Sequence, residues 1–210
     1  MKAVLISIQP QWCEKIFNGE KTIEVRKTAP KIEMPFTVYV YQTKIKGKKG
    51  DSFMVVDALN ENLGCGKVIG SFVCDSVEEY EGEFWDDDTY ERIQEPWEPS
   101  DFAEYGEYEY DTIGENGEFY GKGIELSKQS CLSWNELRKY VGQGLKDFYG
   151  WHIIEPKLFD KPRDLGEFKH KIKVPWAWQE NGKAIGYFYK WQPITRAPQS
   201  WVYCETIDEK

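Results

Sequence analysis

A lysine, a carboxylate and a guanidinium lie close together in Gly19-Glu20-Lys21-Thr22-Ile23-Glu24-Val25-Arg26, directly after a glycine able to turn the chain. Residues two apart on a strand share a face, so alternation from Thr22 to Arg26 puts Thr22, Glu24 and Arg26 on one side and Ile23 and Val25 on the other. A turn ending at Lys21 delivers its ammonium to the mouth of that strand. Such a trio can bind a phosphate or the polar edge of a base, and the carboxylate sets the protonation of the lysine. It can also transfer protons. Lys21, made less basic by burial or by Arg26, would activate water or the Thr22 hydroxyl, with Glu24 passing the proton. The plainer reading of the same residues is a solvated ion pair on a strand face, of little energetic consequence.

Other groups could extend a ligand site. Gln9, Pro10 and Trp12 stand at a helix start, where free backbone N–H groups favour an anion. Trp151-His152 and Gln199-Ser200-Trp201 place aromatic and polar groups near strand ends, where an indole can stack on a base. Against that stands the ordinary use of tryptophan as core or rim in a β-rich protein. The two histidines, His152 and His170, and the scattered cysteines make no metal site, and Asp86-Asp87-Asp88 lacks the alternating ligands of a calcium loop. No motif implies a cofactor.

The elements that must position these groups follow from patterning. Ala3–Ile8 is a short apolar run rich in branched side chains and reads as a buried strand. Pro10 opens a two-turn helix with Trp12/Ile16 and Cys13/Phe17 at i, i+4, and Asn18-Gly19 stops it. Phe36–Thr43 and Lys67–Cys74 read as strands, joined through a lysine-rich loop over Lys44–Lys49. Ser133 and Glu136 form a capping box opening a helix over Trp134–Val141, closed by Gly142. Tyr149–Phe159 is extended, Asn181-Gly182 marks a hairpin between Lys173–Trp178 and Lys183–Trp191, and a strand runs near Ser200–Glu205. Residues 78–125 show no steady period and are read as loops with one ragged hairpin.

Composition supports a mainly β fold with peripheral helices, an α+β chain, since 16% of its 210 residues are aromatic. The net charge of −9 is unevenly spread. Glu78–Glu118 holds 17 acidic residues and one basic residue, Arg92, leaving a body with 26 basic and 19 acidic residues. That body can bind phosphate, and the acidic segment could instead meet a basic protein partner. No apolar run reaches the length of a membrane span, and Ala3–Ile8 is too short for a signal peptide, so a cytoplasmic location is expected. The five cysteines, odd in number and irregularly spaced, are expected to be reduced and mostly packed.

The N-terminal strand, the short helix and then G-x-K-x-x-E-x-R, carried by Gly19, Lys21, Glu24 and Arg26, resemble the ASCH domain of the PUA-like superfamily. Gly150-Trp151-His152-Ile153 leading to Asp160-Lys161-Pro162, and Ala197-Pro198-Gln199-Ser200-Trp201, resemble C-terminal parts of phage and bacterial members. The resemblance covers about 1–76 and 149–205, and 77–148 is then an acidic insertion plus a helix within a single domain. It implies a PUA-like open β-barrel with a cleft at the motif that binds single-stranded RNA or a modified nucleotide. Some compact members are amidohydrolases of N4-acylated cytidine, using the motif lysine, a threonine of the same strand and a later glutamate. Here Glu24 occupies the position of that threonine, and Thr22 lies two residues earlier. An interaction module encoded by a phage is a third reading.

Overall fold

The computed structural model describes residues 2–44, 66–80, 122–142, 147–179 and 183–207. The loop at Lys44–Lys49 beyond Lys44, nearly all of the acidic segment, Cys65 and the Asn181-Gly182 turn fall outside them. Among the described residues eight strands and three α-helices follow in chain order: β1 Lys2–Ile8, α1 Pro10–Phe17, β2 Ile23–Arg26, β3 Phe36–Gln42, β4 Val68–Tyr80, α2 Lys122–Ser130, α3 Trp134–Val141, β5 Phe148–Arg163, β6 Lys169–Trp178, β7 Ala184–Pro193 and β8 Trp201–Glu205. Six strands form a mixed sheet in the order β2-β5-β4-β3-β1-β8, and β6 pairs with β7 in a separate ribbon. The class is α+β and mainly β. The six-stranded order has β2 and β8 as its edges, an open arrangement.

The chain divides into two compact units. One comprises Met1–Gly19, Lys31–Ser76 and Ile153–Lys210, the other Glu20–Pro30 and Val77–His152. The motif segment thus groups with the stretch from 77 to 152.

In the first unit β1 runs parallel to β3, with Val4 beside Val38 and Ile6 beside Val40, and antiparallel to β8. Parallel neighbours buried on both faces call for continuous apolar runs, which is why Ala3–Ile6 are all buried despite having no alternation. Ala3, Leu5, Tyr39, Tyr41, Val68, Phe168, Ile194 and Cys204 form its core. Gly70 is required where it stands, because a Cβ there would come 2.4 Å from the Lys157 carbonyl oxygen. The helix start is built as expected: Pro10 occupies the first turn and the Gln9 carbonyl accepts from the N–H groups of Trp12 and Cys13. Gly19, at φ +85°, takes the left-handed turn that ends α1.

The second unit packs Ile23 and Val25 of β2 with Tyr80, Leu126, Leu137, Val141 and Phe148. Tyr80 and Phe148 stack at 5.2 Å with rings nearly parallel. Two expectations are corrected here. The strand starting at Lys67 does not stop at Cys74 but runs to Tyr80, so 78–80 are strand and not loop. Residues 122–125, read as part of the aperiodic stretch, belong to a helix, Lys122–Ser130. Its acidic and glycine-rich surroundings obscured Leu126, which is buried in the core of the unit. The Ser133 capping box is present as expected: Ser133 Oγ donates to Glu136 Oε2 at 2.8 Å, and the same oxygen accepts from the Ser133 N–H.

Candidate functional site

Lys21, Glu24 and Arg26 meet in the second unit, and they meet in the interior. The three residues are 2%, 7% and 6% exposed. The half-buried strand expected from alternation is therefore corrected: all four residues of β2 are buried, so the side carrying Glu24 and Arg26 is covered as completely as the apolar side. On one edge β2 pairs antiparallel with β5, Glu24 opposite Trp151 and Arg26 opposite Tyr149. Just before the strand, the Thr22 N–H donates to the Gln129 carbonyl at 2.8 Å, tying the motif to the end of α2.

That tie explains the position of the lysine. Lys21 Nζ donates to the Ser130 carbonyl oxygen at 2.6 Å, one of the acceptors left open at the C-terminus of α2. A helix C-terminus carries partial negative charge, so the ammonium is held where the dipole favours it. The same Nζ lies 3.3 Å from Glu24 Oε2, while Glu24 Oε1 lies 2.8 Å from Arg26 Nη2. Glu24 therefore bridges two cations, one through each oxygen.

Burial is the largest influence on Lys21 and pushes its pKa below the ordinary lysine value. Glu24 opposes this through charge and hydrogen bonding, Cys131 opposes it more weakly, and Arg26 adds to the lowering. Tyr140 of α3 joins the cluster. Its phenol is pushed above the ordinary 10.0 chiefly by burial, while the charge of Arg26 and a hydrogen bond to it act the other way. The ammonium of Lys27 lies 5.6 Å from the centre of the Tyr140 ring. Cys131 follows α2 in a left-handed conformation at φ +55°, with its thiol 3.4 Å from the Glu20 carbonyl oxygen. Both Tyr140 and Cys131 are half-buried, more exposed than the trio itself.

Ser130, Cys131 and Tyr140 were not singled out from sequence. The contribution of Ser130 is a backbone oxygen, which has no sequence signature. Tyr140 was within reach, because Leu137, Tyr140 and Val141 recur at helical spacing in α3.

The remaining predicted site residues divide between the two units. Trp151 belongs to the second unit but is fully buried, which corrects its reading as a stacking surface: its indole is core. His152, next to it and opposite Ile23, is half-buried. Thr22 is half-buried before β2. Gln9, Pro10, Trp12, Gln199, Ser200 and Trp201 belong to the first unit. There Gln9 and Gln199 are exposed, Pro10 is buried and Trp12 is half-buried. The Ser200 carbonyl accepts from the Ser7 N–H at 2.9 Å, and Trp201 meets Tyr203 edge to face. Cys13, Cys74, Cys131 and Cys204 are free thiols, all but Cys131 buried. Among the described residues no three His, Cys, Asp or Glu side chains gather as metal ligands, and no helix is long and apolar enough to cross a membrane.

No protein-family model matches the chain, and no curated protein matches it. Among solved structures it is similar to the ASCH protein of Zymomonas mobilis, at 14% identity and a TM-score of 0.41 over 78% of this chain and 73% of that one. A serine-to-alanine mutant of that protein aligns over 96% of this chain and 87% of that one, at 13% identity and a TM-score of 0.47. A tyrosine-to-phenylalanine mutant aligns over 79% and 77%, at 13% identity and 0.44.

Proposed function

We propose that the chain is an ASCH-type module that binds a nucleotide, free or within single-stranded RNA, at Lys21, Glu24, Arg26 and Tyr140. The observation that carries this reading is the convergence of two cationic donors in one buried cluster, Lys21 Nζ and Arg26 Nη2 lying 3.3 and 2.8 Å from the two oxygens of Glu24. The phosphate or a base carbonyl of a nucleotide would accept from Arg26 and Lys21, and Arg26 is the stronger candidate because its planar fork suits paired acceptors. Half-buried Tyr140 offers a ring and a hydroxyl beside Arg26.

The test is a calorimetric titration with cytidine and uridine monophosphates. Arg26→Ala is expected to weaken binding by about 1.5–3 kcal/mol, the loss of one charge-assisted hydrogen bond. An unchanged isotherm would return Glu24 and Arg26 to the status of a structural ion pair.

The lowered basicity of Lys21 supports a second reading, an amidohydrolase of N4-acylated cytidine. A neutral Lys21 amine would take a proton from water as it attacks the acyl carbon, and Glu24, in contact with Nζ, would relay that proton to the departing N4 of the base. The products are a carboxylic acid and cytidine. Incubation with N4-acetylcytidine followed by chromatography should show cytidine that disappears on Lys21→Ala. Absence of cytidine would leave the binding reading alone.

A further inference from the structure

Among the described residues the exposed aromatic surface is concentrated on one ribbon. Of the large hydrophobic side chains exposed among the described residues, all but Met34 lie in β6 and β7: Trp176, Trp178, Ile185, Tyr187, Phe188, Tyr189 and Trp191. Trp176 and Trp178 are 63% and 64% exposed. The same two strands, KHKIKVPWAW and AIGYFYKWQP, hold four lysines and not one carboxylate, in a chain with 36 acidic residues. Neither feature belongs to an ordinary solvated hairpin.

Register sorts these residues. Lys171 lies opposite Trp191, Lys173 opposite Tyr189, and Pro175 opposite Tyr187. Alternate residues share a face, so Lys169, Lys171 and Lys173 of β6 stand on the same side as Tyr187, Tyr189 and Trp191 of β7. All six are exposed. The other side carries His170, Ile172 and Val174 of β6, which are half-buried, and Phe188 and Lys190 of β7, which are exposed. On the exposed side Lys171 Nζ lies 4.9 Å from the centre of the Tyr189 ring, and Lys173 Nζ lies 3.9 Å from that of Tyr187. Trp176 is held at the bulge after Pro175: its indole lies across Gly186 so closely that a Cβ there would have no room.

We infer that this face of β6 and β7 is a platform for single-stranded nucleic acid, the rungs Lys171–Trp191 and Lys173–Tyr189 each offering a ring to a base and an ammonium to a phosphate. The inference shares its ligand class with the function proposed above, but it rests on residues of the other unit. Successive rungs are about 6.7 Å apart, twice the rise of a strand residue. Bases along a duplex strand are stacked about 3.4 Å apart, so only an unstacked single strand can place one base per rung. In the free protein the ammonium groups rest on the tyrosine rings. That exposed cation–π contact is weaker than base stacking, so an incoming nucleotide can take the ring and leave the lysine for its phosphate.

Other occupants fit less well. Lysine is depleted in the cores of protein interfaces, whereas here it alternates with the rings. A membrane-surface element keeps its cationic and apolar groups on opposite faces, and these are mixed on one. Addition of a protein strand is opposed by Pro175 and by the lysines of β6.

The test uses the full chain and a fluorescein-labelled 12-nucleotide oligouridylate, read by anisotropy, with the matching duplex and vesicles of phosphatidylserine and phosphatidylcholine as comparisons. Single-strand binding is expected, with quenching of tryptophan fluorescence and weaker duplex binding. The double variant Tyr189→Ala/Trp191→Ala should lose about 10-fold or more in affinity, while Tyr189→Phe/Trp191→Phe, which keeps the rings, should stay within about 3-fold of the wild type. Lys171→Ala/Lys173→Ala should lower the dependence of log K on log salt by about 1.4, two phosphate contacts on a single strand. Circular dichroism checks that each variant is folded. Failure of the ribbon appears as oligonucleotide affinity indifferent to Tyr189 and Trp191, whereas failure of the Lys21 site appears as mononucleotide titrations indifferent to Arg26. The inference is overturned by equal affinity for duplex and single strand. It is equally overturned if vesicle binding or self-association, and not oligonucleotide binding, is what the aromatic variants abolish.

Discussion

Replacing Glu24 with glutamine keeps the shape of the side chain and removes the one negative charge placed between Lys21 Nζ, at 3.3 Å, and Arg26 Nη2, at 2.8 Å. Both contacts lose their charge assistance, and the two cations are left buried without the carboxylate. Deleting one partner of a buried ion pair costs about 3–5 kcal/mol. Of a domain's typical 5–15 kcal/mol that is a large share, so the variant should unfold at clearly lower urea. Lys21 has an escape that Arg26 lacks: without Glu24 to hold its proton, its pKa falls further and the proton is released more readily. Removing Lys21 as well should therefore cost less than the sum, by about 1 kcal/mol or more for groups in contact. Urea unfolding of wild type, Glu24→Gln, Lys21→Met and the double variant at pH 7 measures each corner of this cycle. If Glu24→Gln costs under about 0.5 kcal/mol and the corners add, the three charges behave as a solvated surface set and the argument from burial fails.

The pH profile is a second expectation. Lys21 binds its proton less tightly folded than unfolded, so its contribution to stability is complete above about 10.5 and shrinks as pH falls through the interval down to its folded pKa. Tyr140 and Cys204 slope the other way: their raised values, about 12 for Cys204, give stability that holds below the unfolded pKa and is lost as pH rises through the folded one. The difference between wild type and Lys21→Met cancels the Cys204 contribution and should rise with pH up to about 10.5; a flat difference would mean that Lys21 is not desolvated. Ser133→Ala removes the hydroxyl of the α3 capping box and should cost about 1 kcal/mol, read as a lower melting temperature, unless Glu136 alone holds the Ser133 N–H. Replacing residues 82–118 with a Gly-Ser linker should leave unfolding cooperative, because the acidic charges of that stretch repel one another and the replacement keeps the described apolar cluster of Ile23, Val25, Tyr80, Leu126, Leu137, Val141 and Phe148. It should also strengthen oligonucleotide binding at low salt by removing most of the acidic charge, and an insoluble product would show that the segment is structural.

Much of the frame was legible because its signals are local. Branched apolar runs marked β1 and β3, Pro10 and Gly19 bracketed α1, and the Ser133 capping box located α3. The ribbon was visible as two aromatic runs around Asn181-Gly182, although its alternation of lysine and ring appears only once the register pairs Lys171 with Trp191 and Lys173 with Tyr189. What could not be read was depth. Alternation at Thr22–Arg26 reports which residues share a face but not what lies over that face, and charged residues bias the reading toward solvent. Trp151 failed for the opposite reason: a large ring near a strand end suits a platform and a core equally, and only packing decides.

The covering of β2 also changes what its motif can mean. Gly19, Lys21, Glu24 and Arg26 fix the order of a turn, a cation, an anion and a cation, yet on an exposed strand that order amounts to a pair of screened contacts. The acceptor for Lys21 is the carbonyl of Ser130, and the ring beside Arg26 is Tyr140, both supplied by the stretch from 122 to 142 that the resemblance leaves out. α2 hands the buried Lys21 an acceptor at its C-terminus, which offsets part of the cost of burying the ammonium. Burial pulls toward the neutral amine while Glu24 pulls toward the charged one. A lysine held between those two demands is suited both to accept a proton and to meet an anion. Which of them it does in this protein depends on α2 and α3 more than on the four motif residues.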